Sequence, residues 1–121
     1  MKTNNNTNEK KPPVRTTIRN IIDELRYDND RMVTELIDII DTNFSTNNLG
    51  MAADYSAELL KYINSKCQYG DYFRNLKRNV YTLHKLLSSI FVNAMEHFIA
   101  KELEDDYLNN MQEVEEIGYN Q

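Results

Sequence analysis

The chain contains few of the residues that mark turns and covalent crosslinks. Its 121 residues include 3 Gly, 2 Pro and 1 Cys. So few turn-forming residues predict a small number of long elements. A single cysteine, Cys67, cannot form an intramolecular disulfide, so we interpret it as a packing residue in a reducing compartment.

Residues that usually carry catalysis or bind cofactors are also scarce. The only histidines, His84 and His97, are 13 residues apart on one predicted helix, or roughly 20 Å, which is too far to share a metal ion. The three glycines, Gly50, Gly70 and Gly118, cannot form a P-loop or a dinucleotide fingerprint. No strained turn presents a serine nucleophile. We therefore predict no catalytic residue, no metal, no cofactor and no enzymatic activity.

Long apolar runs are absent as well. No stretch approaches the ~20 apolar residues of a membrane span, and the N-terminus lacks the apolar segment of a secretory signal. These absences predict a protein that does not associate with membranes and that lies inside the cell, in the cytoplasm or the nucleus.

Charge is distributed unevenly along the chain, whose net charge is −5. Residues 1–20 hold five basic residues and one acid, a balance of +4, whereas residues 102–121 hold seven acids and no Lys or Arg, a balance of −7. We interpret residues 1–15, rich in Asn, Lys and Pro, as a flexible basic arm and residues 105–121 as an acidic frayed tail. A single helical domain is predicted between them, over residues 16–104.

Apolar residues in the first half recur at helical spacing. A helix is predicted to begin at Thr16 or Thr17, either of which could cap it. Residues 27–30 then interrupt the pattern, which leaves either one helix with a weak middle or two helices, and we favour a kinked or broken helix. Residues 41–50 offer many competing side-chain hydrogen bonds and are predicted as a loop that Gly50 ends, with Phe44 and Leu49 folding back onto the core. A short helix is predicted over residues 51–66.

The strongest pattern is an apolar seam in the second half of the chain. Its members step by three or four residues: Phe73, Leu76, Val80, Leu83, Leu87, Ile90, Ala94 and Phe98. This spacing predicts a long helix from residue 71 to about residue 103, with a stripe broad enough to pack against several others. The fold class is therefore all-α, a bundle of three to four helices around one long C-terminal helix.

Surplus apolar surface on this helix would require a partner chain, and no residue pattern shows whether the bundle covers its own core instead. The candidate interface residues are Tyr72, Phe73, Leu76, Val80, Leu83, Leu87, Ile90 and Phe91.

Four cations on the same predicted helix form a possible nucleic-acid contact, because they lie away from the seam and near tyrosines that could stack on bases. They are Arg74, Lys77, Arg78 and Lys85. Such strips are common on any solvated helix, the chain is acidic overall, and no recognition-helix motif accompanies them. Nucleic acid is therefore the less favoured partner.

The stretch Lys66-Cys67-Gln68-Tyr69-Gly70-Asp71-Tyr72-Phe73-Arg74-Asn75-Leu76, with an Asn-rich arm and a helical body of this size, resembles small nucleocapsid-associated proteins of baculoviruses and other large DNA viruses. The resemblance covers residues 17–100. It implies a nuclear role in virion assembly through protein partners, and no residue role follows from it.

The function predicted from these patterns is a non-enzymatic protein–protein interaction or assembly protein that acts as a homo-oligomer or as a subunit of a complex. Two alternatives stay open: a nucleic-acid-binding regulator that uses the basic arm and the four cations, and a small inhibitor that docks on one target protein.

Overall fold

The computed structural model describes the backbone of residues 11–120 and the side chains of residues 11–111, so most of the predicted basic arm and the end of the acidic tail lie outside it. Four α-helices follow one another: α1 (Val14–Leu25), α2 (Arg31–Ser45), α3 (Leu49–Lys66) and α4 (Asp71–Asn120), with a 3₁₀ turn at Cys67–Tyr69. No strand occurs between residues 11 and 120. The prediction of an all-α fold with one long C-terminal helix is confirmed.

The chain divides after Ser88 into two compact units. We call the part up to Ser88 the bundle unit and the part from Ser89 onward the distal unit. The predicted domain of residues 16–104 differs from this division, which separates residues 89–104 from the bundle unit. The helix itself continues to Asn120, beyond the predicted end near residue 103.

Helix α1 begins at Val14, earlier than the predicted start at Thr16 or Thr17. Pro13 precedes the first turn, where its missing N–H costs no hydrogen bond. The Thr17 N–H donates to the Pro13 carbonyl at 3.1 Å, so Thr17 lies inside the helix rather than capping it. The predicted threonine cap is therefore corrected.

The break between α1 and α2 is real and separates two helices, as favoured from the sequence. The Asp30 side chain accepts a hydrogen bond from the Val33 N–H at 3.1 Å and thereby caps α2. The Asp28 side chain accepts from the Asp30 N–H at 2.9 Å. Short acidic side chains thus satisfy the backbone donors that the break leaves free.

The predicted loop over residues 41–50 is wrong at both ends, because only residues 46–48 lie between α2 and α3. Polar side chains at the end of α2 bond back to the helix instead of competing with it. Thr42 Oγ1 donates to the Asp38 carbonyl at 3.0 Å, and Asn43 Nδ2 donates to the Ile39 carbonyl at 2.9 Å. Gly50 does not end the run, since α3 begins at Leu49.

The core of the bundle unit is built from one apolar stripe on each helix. As predicted, Phe44 and Leu49 are part of it. The buried apolar side chains are Ile18, Ile22 and Leu25 in α1; Val33, Ile37, Ile40 and Phe44 in α2; Leu49, Ala52, Ala53, Leu59 and Ile63 in α3; and Leu76, Val80, Leu83 and Leu87 in α4. Burial of each large side chain stabilises the fold by about 1.5–3 kcal/mol.

The turn before α4 depends on a glycine. Gly70 has a φ of 136°, a conformation that residues with a Cβ rarely adopt. The predicted start of the long helix at residue 71 is confirmed, since α4 begins at Asp71, directly after Gly70.

Candidate functional site

Half of the residues proposed as an interface are core residues. Leu76, Val80, Leu83 and Leu87 are each at most 9% exposed, so no partner can reach them in this fold. Because these four side chains are buried within the bundle unit, the interface assignment is corrected for these four positions.

The other four candidate interface residues are at least partly accessible. Tyr72 is exposed, and Phe73, Ile90 and Phe91 are half-buried. The Tyr72 and Phe73 rings meet edge to face with 4.9 Å between centroids, and Phe73 meets Tyr62 in the same way at 6.3 Å. Phe73 thus helps to join the start of α4 to α3.

Apolar side chains of the distal unit are exposed to an unusual extent. Eight large ones between residues 92 and 111 have exposed fractions of 41–63%: Val92, Met95, Phe98, Ile99, Leu103, Tyr107, Leu108 and Met111. We call this set the distal apolar surface. Contiguous apolar surface of this kind marks sites of protein or membrane interaction. None of these residues was predicted as an interface residue from the sequence, although Phe98 belongs to the seam.

The distal apolar surface is surrounded by acids. Residues 89–111 contain five acids, Glu96, Glu102, Glu104, Asp105 and Asp106, against the single cation Lys101, so their balance is −5 + 1 = −4 with histidine neutral. A partner with positive charge would relieve the repulsion among these acids.

The four cations predicted as nucleic-acid contacts lie together on the first part of α4, and all four are exposed. We call them the basic strip. Arg74 pairs with Asp71 at 3.0 Å, and both side chains are largely exposed. Among the described residues, no ion pair includes Lys77, Arg78 or Lys85. Tyr81, which is 52% exposed, lies four residues from both Lys77 and Lys85 and therefore on the same helical face.

Two tyrosines fasten the α1–α2 connection to the rest of the bundle unit. The Tyr62 hydroxyl donates to the Asp30 carboxylate at 2.9 Å, and the Tyr72 hydroxyl donates to Asp28. Desolvation and the neighbouring Asp28 carboxylate raise the pKa of Tyr72 to about 12, and desolvation together with Asp30 raises the pKa of Tyr62. Sequence reasoning missed both pairs, because their members are 32 and 44 residues apart.

A second polar cluster joins α1 to α2. Asp41 accepts hydrogen bonds from Arg19 and Arg26, each at 2.6 Å, and from Ser45 Oγ at 3.1 Å. Burial acts to raise the pKa of Asp41, but the hydrogen bonds from Arg19, Ser45 and Arg26 outweigh it and lower the pKa. The cluster ties two helices together, which favours a structural role.

Ser56 and His84 form the arrangement closest to a catalytic pair. The Ser56 hydroxyl donates to the Ala53 carbonyl at 2.6 Å, and its oxygen lies 2.8 Å from His84 Nδ1. Because the Ser56 hydroxyl proton is donated to the Ala53 carbonyl, the Ser56 oxygen can only accept a hydrogen bond from His84 Nδ1–H. A catalytic base would instead accept the serine proton. Ser56 is also fully buried, so the pair as arranged is suited to packing rather than to nucleophilic attack.

An open groove of about 450 Å³ lies between α2 and α3. Its lining residues are Met32, Leu36, Tyr55, Glu58, Lys61, Tyr62 and Ser65. Within the described part of the chain, no three His, Cys, Asp or Glu side chains are grouped so that they could hold a metal ion. Likewise, none of the helices in that part is long and apolar enough to cross a membrane.

The surfaces available for function in the described part of the chain include the distal apolar surface, the basic strip and the shallow groove. Comparisons with protein-family models, with curated proteins and with solved structures found no match to this chain.

Proposed function

We propose that this protein is an assembly subunit that associates with other protein chains through the distal apolar surface. The observation that carries the proposal is the 41–63% exposure of eight large apolar side chains within 20 residues of one helix. A helix gains most of its stability from packing of its apolar face, so a partner that covers this face also stabilises the helix.

The energy available from this surface sets a condition on the partner. Burying the exposed half of a large apolar side chain contributes about 1 kcal/mol, and eight of them contribute about 8 kcal/mol. Association itself costs about 4–15 kcal/mol in lost freedom of motion. The contact is therefore stable only if the partner contributes apolar groups or complementary charges of its own.

The test is the molar mass in solution, measured by light scattering on a sizing column over a range of protein concentrations. We expect masses above the 14.3 kDa of one chain, rising with concentration. The variant Ile99→Gln with Leu103→Gln should shift the mass towards 14.3 kDa, because it removes two members of the distal apolar surface while keeping good helix propensity.

A matched control changes two apolar residues of similar exposure in the bundle unit. Ile39 and Met51 are 39% and 41% exposed, so Ile39→Gln with Met51→Gln removes comparable exposed groups elsewhere. This control should assemble like the unaltered chain. A mass of 14.3 kDa at every concentration, or equal masses for the two double variants, would overturn the proposal.

A nucleic-acid-binding regulator is the second candidate, and the exposed basic strip with Tyr81 favours it. Phosphate contacts release counterions, so binding to a random single strand should weaken steeply as salt rises. Assembly specifically within a virion, and docking as an inhibitor on one target, stay predictions from the sequence.

A further inference from the structure

We propose that the partner of the distal unit is a second copy of this chain, and that the distal unit of one copy docks head to tail on the basic strip of the next. This inference rests on the proposed assembly function and names the surface that the distal unit recognises. It uses two exposed surfaces of opposite charge that are present once in every copy.

Charge decides which pairs of surfaces can meet. The distal unit has a balance of −4 over residues 89–111, whereas residues 71–88 hold the four cations of the basic strip and Asp71, a balance of 4 − 1 = +3. Two distal units side by side would place a net charge of −4 against another net charge of −4, and like charges across an interface are strongly disfavoured. A distal unit that docks on a basic strip places a net charge of −4 against a net charge of +3, and these opposite charges attract each other.

The two surfaces also share a spacing. In the basic strip, Lys77, Tyr81 and Lys85 follow one another at four-residue intervals. In the distal unit, Met95, Ile99 and Leu103 do the same, and Glu102 and Asp106 follow the same interval along an adjacent line. Residues four apart lie on one face of a helix at intervals of about 6 Å. Two such helices can therefore pack with these rows side by side, so that a carboxylate of one copy meets a cation of the other.

The basic strip can also cover apolar groups. Lysine and arginine side chains lay their aliphatic stems along apolar surface while their charged ends reach acids at the rim. Tyr81, 52% exposed, adds an aromatic ring at the middle of the strip. This chemistry suits a surface such as Ile99 and Leu103 bordered by Glu102 and Asp106.

The basic strip is available for such a contact. The one ion pair that it forms with described residues, between Arg74 and Asp71, is solvent-exposed, and pairs of this kind contribute less than about 1 kcal/mol. Exchanging it for contacts with another copy costs little. Because the two docking surfaces differ, the contact is heterologous. Two copies that dock reciprocally form a closed dimer, whereas repeated docking of one copy on the next forms rings or open chains.

The experiment is a charge exchange within the full-length chain, followed by light scattering. The strip variant carries Lys77→Glu, Arg78→Glu and Lys85→Glu, and the distal variant carries Glu102→Lys, Asp105→Lys and Asp106→Lys. Each should lose at least about tenfold in the association constant, because attraction becomes repulsion. A chain that carries all six changes keeps the net charge of −5, since −6 and +6 cancel, and should associate again.

A matched control separates position from net charge. Lys11, Arg31 and Lys61 are exposed cations outside the strip, so reversing these three to Glu changes the net charge as much as the strip variant does. The control should associate at least about tenfold more tightly than the strip variant. Far-ultraviolet circular dichroism shows whether each variant keeps its helix content.

The outcomes distinguish this inference from the proposed function. Association that depends on Ile99 and Leu103 but not on the strip charges would overturn the head-to-tail contact and leave assembly through the distal apolar surface standing. Failure of the six-fold variant to associate, while the three-fold control does, would also overturn the contact. An unaltered chain that stays monomeric would overturn both.

Discussion

Replacing Asp41 with Asn should destabilise the bundle unit by about 2 kcal/mol. The Asp41 side chain is only 17% exposed and accepts one hydrogen bond from each of Arg19 and Arg26 at 2.6 Å. Hydrogen bonds to charged groups contribute about 1.5–3 kcal/mol each, but both arginines are about one third exposed, which reduces the Coulombic part. Asn keeps the shape of the side chain while removing the charge.

The measurement is urea unfolding followed by circular dichroism at neutral pH, with the midpoint and slope fitted together. A loss of 2 kcal/mol corresponds to a fall in melting temperature of about 10 °C for a unit of this size. Glu35→Gln is the control, because it removes a carboxylate whose ion pair with Arg31 is highly exposed, and it should cost less than about 0.5 kcal/mol.

The pH dependence gives a second, independent readout. The pKa of Asp41 in the folded chain lies below its ordinary value of 3.8, so the charged form is stabilised by folding. Its contribution is fully present above about pH 5 and is lost as the pH falls below 3.8 and through the folded-state pKa. The stability difference between the unaltered chain and Asp41→Asn should therefore narrow in acid. If the free energies of unfolding of the two chains differ by less than about 0.5 kcal/mol at neutral pH, or if the difference does not narrow in acid, Asp41 does not stabilise the fold as a charged acceptor.

Two further predictions concern burial and the tyrosine contacts. Leu83→Ala should cost about 3 kcal/mol in urea unfolding because Leu83 is fully buried. Leu103→Ala, at a position 63% exposed, should cost less than about 0.5 kcal/mol in dilute protein, and equal costs would contradict the assignment of Leu83 to the core and Leu103 to the surface. Tyr72→Phe should cost about 1 kcal/mol below pH 10, because it removes the hydrogen bond to Asp28. Folding raises the pKa of Tyr72 from 10.0 to about 12, so the stability difference between the unaltered chain and Tyr72→Phe should disappear as the pH rises from 10 to 12. In an absorbance titration, the variant should lose the one tyrosine that ionises near pH 12.

Local sequence was sufficient where the physics is local. Residues 27–30 break the helix because Asp28 and Asp30 bond to nearby backbone N–H groups, and Gly70 adopts a backbone conformation suited to glycine. The same kind of reasoning failed after Asp41, because polar side chains there bond to carbonyls four residues earlier. Thr42 and Asn43 can serve either a loop or a helix end, and composition does not distinguish the two.

Pairs between helices could not be found from the sequence. Asp41 with Arg19 and Arg26, Tyr72 with Asp28, and Ser56 with His84 each join residues 15 to 44 positions apart. None has a spacing motif, because its geometry comes from the way in which the helices pack. The basic strip is different, since its members lie on one helix and their common face follows from helical periodicity alone.

The sequence by itself determined the all-α class, the long C-terminal helix and the apolar seam, because the three- and four-residue spacing of Leu and Val residues allows no other regular structure. Only the tertiary structure decided which part of that seam is core and which is surface. Helices α1, α2 and α3 have 12, 15 and 18 residues against 50 in α4. Burial depends on the packing of other helices against the seam: its last buried member is Leu87, whereas Phe98 stays 59% exposed.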